Sequence, residues 1–180
     1  MTAPRSDSAL RGPAVVLVGP PGAGKSTVGA RLARRLGTEL ADTDALVVTR
    51  AGKSISDLFT DDGEAVFRAL EEDVVADALR TRRGVLALGG GAVLSERTRV
   101  ALHGHRVVFL AVGMAEGVRR TGMSSVRPLL AGMNPRATFK ALLDARLPLY
   151  REVATVEVPT EGATPDEVAT AVLAALDPVR

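Results

Sequence analysis

The run Gly19-Pro20-Pro21-Gly22-Ala23-Gly24-Lys25-Ser26, followed by Thr27, carries the most readable chemistry in this chain. It fits the template G-x-x-x-x-G-K-[ST] at every fixed position. Glycines let backbone amides approach phosphate oxygens without a Cβ in the way. A helix start adds free N–H donors and the positive end of the helix dipole. Lys25 can reach the β- and γ-phosphates of a bound nucleotide, and the Ser26 hydroxyl can ligate Mg²⁺. The motif therefore points to a nucleoside triphosphate, but not to what becomes of its phosphate.

Two acids and three glycines mark further positions. Asp42 and Asp44 stand two residues apart, and in extended chain their side chains would share one orientation. One carboxylate can hold Mg²⁺ or its waters, and the other can accept a proton from an attacking hydroxyl. The plainer alternative is a turn at Asp42 with Asp44 as a helix N-cap. Gly89-Gly90-Gly91 follows an apolar run directly, an entropically costly arrangement that close packing of a ligand on the backbone would explain. Three arginines are candidates for anion contacts. Arg68 could instead form a surface ion pair with Glu71 or Glu72, Arg146 could be a solvated helix end, and Arg127 a plain loop charge. Two patterns are decoys. Ala51-Gly52-Lys53-Ser54 mimics the end of a phosphate loop, but Val47 stands where its first glycine belongs. Helix stop plus N-cap explains it. His103 and His105 have no Asp, Glu or Cys placed to complete a metal site.

These residues need elements to hold them. Ala14–Val18 reads as a buried strand, and Val28, Leu32 and Leu36 recur at helical spacing after the glycine run. Gly37 is a natural helix stop. Residues 38–41 form a weak second strand ending at Asp42. Short helices follow over residues 45–51 and after Ser54 or Ser56. A long helix spans about 64–82, with Val66, Leu70, Val74 and Ala78 as its apolar stripe. Residues 85–88 form a third strand, Ser95 caps a short helix, and 106–110 form a fourth strand. A helix covers 115–121. Residues 122–135 break pattern and read as a lid. Asn134 and Pro135 are N-cap and N1 of the next helix. A last strand spans 155–158, and Thr164-Pro165-Asp166-Glu167 opens the final helix with a capping box. Strands alternating with helices predict a parallel α/β sheet with right-handed crossovers. Ligands of such sheets sit beyond the carboxyl ends of the strands, where the glycine run, the acid pair and the triple glycine all fall.

Composition sets the outer bounds. A chain of 180 residues, 46% hydrophobic, suits one domain and can bury roughly 70% of its unfolded surface. The reading is a tail over 1–11, disordered, and a single domain over 12–180. Cysteine is absent, which excludes disulfides and thiolate chemistry. No apolar run approaches the roughly 20 residues of a membrane helix, and residues 1–11 lack the apolar core of a signal peptide. A cytoplasmic protein with no membrane partner is expected. Net charge is only +2 and aromatics are 3%, with the arginines scattered, which argues against nucleic acid as a partner.

Taken in order, the phosphate loop, Asp42-Thr43-Asp44, Phe67-Arg68-Ala69-Leu70-Glu71, Gly89-Gly90-Gly91, Arg127-Pro128-Leu129-Leu130 and Arg146-Leu147-Pro148-Leu149-Tyr150 resemble the shikimate kinase family. The resemblance covers about residues 14–155. It implies an α/β phosphate-loop fold like that of nucleoside monophosphate kinases, a three-layer sandwich around a five-stranded parallel sheet. It implies transfer of the ATP γ-phosphate to the 3-hydroxyl of shikimate, in the pathway to chorismate and the aromatic amino acids, by a monomer that uses Mg²⁺. Carried over by position, Gly22, Ala23, Gly24, Lys25, Ser26 and Thr27 bind the ATP phosphates, and Arg120 and Pro165 hold adenine. Arg127 closes over the phosphates, Ser26 ligates Mg²⁺, and Asp42 holds it through water. Asp44, Arg68, Gly89, Gly90, Gly91 and Arg146 face shikimate, with Phe59 and Phe67 as pocket wall. Lys25, Asp44 and Arg127 are the catalytic set. The alternatives are another small-molecule kinase of the same fold, such as a gluconate kinase or a nucleoside monophosphate kinase, a guanine-nucleotide switch, or a non-catalytic nucleotide-binding module. None of the three lysines stands in the N-K-x-D setting that guanine recognition uses.

Overall fold

Along strand β1 (Val15–Val18), Val15 and Leu17 enter one apolar cluster and Val16 and Val18 enter another. That is the period of two expected of a strand buried on both faces. It dictates helices above and below the sheet. The computed structural model describes residues 12–121 and 134–177. Within them, β1 joins β2 (Leu40–Asp42), β3 (Val85–Ala87), β4 (Val107–Ala111) and β5 (Val156–Pro159). All neighbours pair in parallel, in the order β2-β3-β1-β4-β5. The expected five-stranded parallel sheet and three-layer architecture are therefore present.

Helices α1 (Lys25–Arg35) and α8 (Pro165–Leu176) cover the first face. Val28 and Leu32 of α1 and Val168 and Val172 of α8 pack there with Val15, Leu17, Val108 and Leu110. Helices α4 (Glu64–Thr81), α5 (Glu96–Leu102) and α7 (Pro135–Val153) cover the second face. They bring Val75, Leu79, Leu102, Tyr150 and Val153 against Val16, Val18, Leu86 and Phe109. Fully burying one such aliphatic side chain contributes about 1.5–3 kcal/mol, so the two layers fix the sheet and with it the strand ends.

A smaller cluster lies beside the sheet edge, where α2 (Thr43–Ala51) meets α4. Val47, Leu58, Phe67 and Val74 form it. Ser54 caps the short helix α3 (Ile55–Asp57), which runs into a π-helical turn over Leu58–Asp62. A 3₁₀ turn over Ala92–Leu94 precedes α5, and α6 (Met114–Thr121) follows β4. The capping box at Thr164 and Glu167 and the Asn134 cap on α7 form as the sequence predicts.

Two readings need correction. The buried residues of α4 are Phe67, Glu71, Val74, Val75, Ala78 and Leu79, whereas Val66 is 50% exposed. The expected stripe began one residue early, because an acid, Glu71, occupies a position that the helical period assigns to the interior. Arg146 is not a solvated helix end either. Helix α7 continues through Pro148 to Val153, and Arg146 is only 7% exposed.

Strand order explains where a ligand must bind. After β1 the chain skips one place to β2, returns to fill it with β3, and crosses to β4 on the other side of β1. The reversal of direction beside β1 opens a crevice at the carboxyl ends of the strands. The described residues on both sides of that crevice supply the candidate site.

Candidate active site

The glycine run turns directly into α1. Gly24, the residue before the helix, has φ +86°, and Gly22 has φ +80°, left-handed conformations that a Cβ would strain. No side chain caps α1 and no acid occupies its first turn. Its first amides therefore point outward as donors for an anion. Lys25, 9% exposed, folds over the loop. Its Nζ donates to the Gly19 carbonyl at 2.8 Å and the Pro20 carbonyl at 3.0 Å.

Ser26 and Asp42 meet beside this loop. The Ser26 hydroxyl donates to Asp42 Oδ2 at 2.7 Å. The other oxygen, Asp42 Oδ1, accepts the Asp44 amide at 2.9 Å and caps α2. Asp42 is thus the last residue of β2 and the N-cap, while Asp44 already lies in the first helical turn. The alternating-strand argument for the pair does not hold, and the plainer alternative had the cap on the wrong aspartate.

The acceptor side gathers on the triple glycine. A Cβ at Gly89 would lie 2.5 Å from Asp44 Oδ1 and 2.8 Å from Glu71 Oε1. One at Gly91 would overlap the Arg68 guanidinium, and one at Gly90 would lie 3.0 Å from Pro21 of the phosphate loop. The side chains of Asp44, Glu71 and Arg68 and the Pro21 ring therefore crowd the turn closely enough to account for its glycines, where the sequence suggested a ligand. Arg68 Nη1 donates to Glu71 Oε2 at 2.7 Å, and its Nε lies 3.4 Å from Glu64 Oε1. Glu71 is 3% exposed, so this is no surface pair. Glu72 instead accepts from Ser95 and Arg97. The Arg68 guanidinium also stands 5.1 Å above the Phe67 ring, which packs on Phe59 with centroids 4.7 Å apart. From the other flank, Tyr150 Oη donates to the Gly90 carbonyl at 2.5 Å. Arg146 and Tyr150 are both buried residues of α7. Four positions apart, they lie one above the other on the helix.

A third region adjoins the loop. A cavity of about 430 Å³ is lined by Ala23, Gly24, Thr27, Arg120, Thr164 and Pro165, among others. Arg120 is held by Glu116, Thr160 and, at 3.5 Å, the Gly22 carbonyl. Its Nε donates to Glu116 Oε1 at 2.6 Å, Nη2 to the Thr160 carbonyl at 3.0 Å, and Nη1 to Thr160 Oγ1 at 3.2 Å. Hydrogen bonds from Arg119 and then Arg120 hold the Glu116 carboxyl well below the usual carboxylate range, at about 2. The guanidinium keeps an ionised partner throughout the neutral range.

A family model described as shikimate kinase matches residues 21–177. The chain belongs to the shikimate kinase family. A shikimate kinase of Saccharopolyspora erythraea is 68% identical over 86% of this chain and 88% of its own length. One from Salinispora arenicola is 58% identical over 91% and 98%. Among solved structures, a shikimate kinase from Acinetobacter baumannii in complex with shikimate superposes with a TM-score of 0.89 at 36% identity, covering 93% of this chain and 94% of that one. A gluconokinase from Sinorhizobium meliloti has a TM-score of 0.55 at 19% identity over 92% of both chains, a likeness of fold alone.

For a shikimate kinase, the described residues divide cleanly. Lys25, Ser26, Asp42 and the glycine run meet at the phosphate loop. Arg120 and Pro165 line the adjoining cavity with Ala23, Gly24 and Thr27. Asp44, Arg68 and Gly89–Gly91 converge, with Phe67 beneath Arg68 and Phe59 beyond it. Arg127 and the lid segment up to Met133 lie outside the described residues, as do the tail over 1–11 and residues 178–180. Sequence reasoning gave no role to Thr43, Glu116 or Tyr150, and considered Glu71 only as one possible surface partner of Arg68. Glu71 was recoverable: it stands at helical spacing from Phe67, Val74 and Ala78, an acid on a buried face. Thr43 stands between the two aspartates and is fully buried, and its Oγ1 accepts the Gly89 amide at 2.9 Å.

Proposed function

We propose that the chain is a single-domain kinase that transfers the γ-phosphoryl group of MgATP to the 3-hydroxyl of shikimate, giving shikimate 3-phosphate and ADP. The observation that carries this reading is the convergence of Asp44 and Arg68 on a glycine turn that packs on the phosphate loop. Triphosphate and acceptor are thereby brought to one crevice.

ATP occupies the cavity beside the loop, its base between Arg120 and Pro165. Its phosphates meet the uncapped amides of α1. Lys25 exchanges its bonds to Gly19 and Pro20 for phosphate oxygens. A hydroxyl and a carboxylate oxygen side by side, Ser26 Oγ and Asp42 Oδ2, are the hard oxygen donors that Mg²⁺ prefers. Ser26 would ligate the ion and Asp42 would hold one of its waters. When bound, the ion supplies neutralisation of charge on the β- and γ-phosphates.

Shikimate offers one carboxylate and several hydroxyls. Arg146 and Arg68 grip the carboxylate with charge-assisted hydrogen bonds. Glu71 holds the Arg68 guanidinium in place, and the Phe59–Phe67 wall lines the pocket. Asp44 orients the nucleophilic 3-hydroxyl and accepts its proton. Phosphoryl transfer passes through a loose transition state, so positioning and charge stabilisation outweigh strong basicity. Arg127 supplies positive charge to the transferring group.

The test is acceptor-dependent ADP release measured with saturating MgATP. Shikimate should support turnover and gluconate and AMP should not.

A further inference from the structure

Three consecutive glycines have no side chains with which to hold a shape. The turn Gly89–Gly91 is nonetheless buried at every residue. Buried backbone groups must find partners, and two of the partners here are side-chain hydroxyls. Thr43 Oγ1 accepts the Gly89 amide at 2.9 Å, and Tyr150 Oη donates to the Gly90 carbonyl at 2.5 Å. Both residues are fully buried. The Tyr150 ring is further fixed by stacking on Phe109, with centroids 5.1 Å apart. Each hydroxyl is also tied to a side chain of the acceptor site. Thr43 directly precedes Asp44 in the first turn of α2. Tyr150 lies one turn beyond Arg146 on the same face of α7.

We propose that Thr43 and Tyr150 are positioning residues for the acceptor. Their two hydrogen bonds pin the glycine turn between α2 and α7 and so set the spacing between Asp44 and Arg146. Neither needs to touch the substrate. The turn is the common reference to which the proton acceptor and the carboxylate grip are both fastened. This inference rests on the reading of Asp44, Gly90 and Arg146 as acceptor contacts.

The experiment is steady-state kinetics on the full chain with shikimate and ATP varied separately, for Tyr150→Phe, Thr43→Val, Thr43→Ser and, for comparison, Arg146→Ala. Tyr150→Phe keeps the ring, and Thr43→Val keeps the shape. Thermal unfolding without ligand reports which variants fold. Deleting either hydroxyl should raise the shikimate KM about 3- to 10-fold, the range that one net hydrogen bond supports. The ATP KM should stay within about twofold of the parent, and Thr43→Ser, which keeps the hydroxyl, should restore the shikimate KM. Should the Tyr150 variant not fold, the contrast between Thr43→Val and Thr43→Ser decides alone. An unchanged shikimate KM in the folded hydroxyl deletions overturns the proposal. So does a parallel rise in both KM values, which marks a merely structural role. If Arg146→Ala raises the shikimate KM while the deletions do not, only the positioning role falls. If Arg146→Ala leaves it unchanged, the acceptor-site reading fails and this proposal with it.

Discussion

Ser26 Oγ and Asp42 Oδ2 lie 2.7 Å apart, although 16 positions separate them in the chain. One lies in the first turn of α1 after the phosphate loop and the other ends β2, two places from β1 in the sheet. Between them runs β3, whose own end is the glycine turn. The hydrogen bond therefore spans the crevice floor, at the place where the proposed function puts Mg²⁺.

Asp42→Asn should weaken the response to Mg²⁺. The amide keeps the shape but loses the negative charge that holds a metal-bound water. Changes to such outer ligands cost about 10- to 100-fold in metal affinity or activity. Titrating activity against Mg²⁺ at fixed ATP checks this. An unchanged half-saturating Mg²⁺ concentration would remove Asp42 from the site.

Gly89→Ala should damage the acceptor site while the protein remains folded. The added methyl meets the ends of the Asp44 and Glu71 side chains at 2.5 and 2.8 Å, and these shift more easily than backbone. Displacing Asp44 by even about 1 Å can cost on the order of 10²-fold in rate. We expect kcat with shikimate to fall by that order, with the unfolding midpoint changed by no more than about 2–4 °C, the shift for about 1 kcal/mol in a domain of this size. A fully active alanine variant would show that Asp44 does not work from the position seen here.

Much of this was legible in the sequence. The phosphate loop declares itself because its glycines answer a local need, backbone approach to phosphate. The parallel sheet follows from the alternation of strands and helices and from right-handed crossovers. What was not legible depends on partners distant in sequence. Glu71 stands at a buried helical spacing, but its approach to the Gly89 turn appears only once β3 is packed against α4. Neither reading of the acid pair named Asp42 as the cap of α2, because strand and helix meet without a loop there. Tyr150 closes the motif that begins at Arg146, but nothing in the sequence gave it a role, since its partner is a carbonyl 60 positions away.

Glu116 couples the ion pairs of α6 to acid. Its folded-state pKa of about 2 lies below the ordinary 4.5, so the unfolded chain binds its proton first as pH falls. Its contribution to stability is complete above about pH 4.5 and is lost as pH drops toward 2. Glu116→Gln should therefore flatten the dependence of the unfolding midpoint on pH in that window. It should also raise the ATP KM several-fold at neutral pH, because Arg120 loses its ionised partner. A Gln variant with the parent's acid profile would contradict the assigned coupling.

Arg127 and Arg146 should separate kinetically. Arg127→Ala should lose turnover, by up to the roughly 10³- to 10⁵-fold that a transition-state arginine supplies, with little change in either KM. Arg146→Ala should chiefly raise the shikimate KM. A normal kcat for the Arg127 variant, or a normal shikimate KM for the Arg146 variant, would reverse that assignment.

The most direct measurement of the central claim is ADP release from MgATP with shikimate, gluconate, AMP or no acceptor. Rapid release with shikimate alone, together with formation of shikimate 3-phosphate, is the predicted result. Equal release with and without shikimate, or faster release with gluconate or AMP, would contradict it.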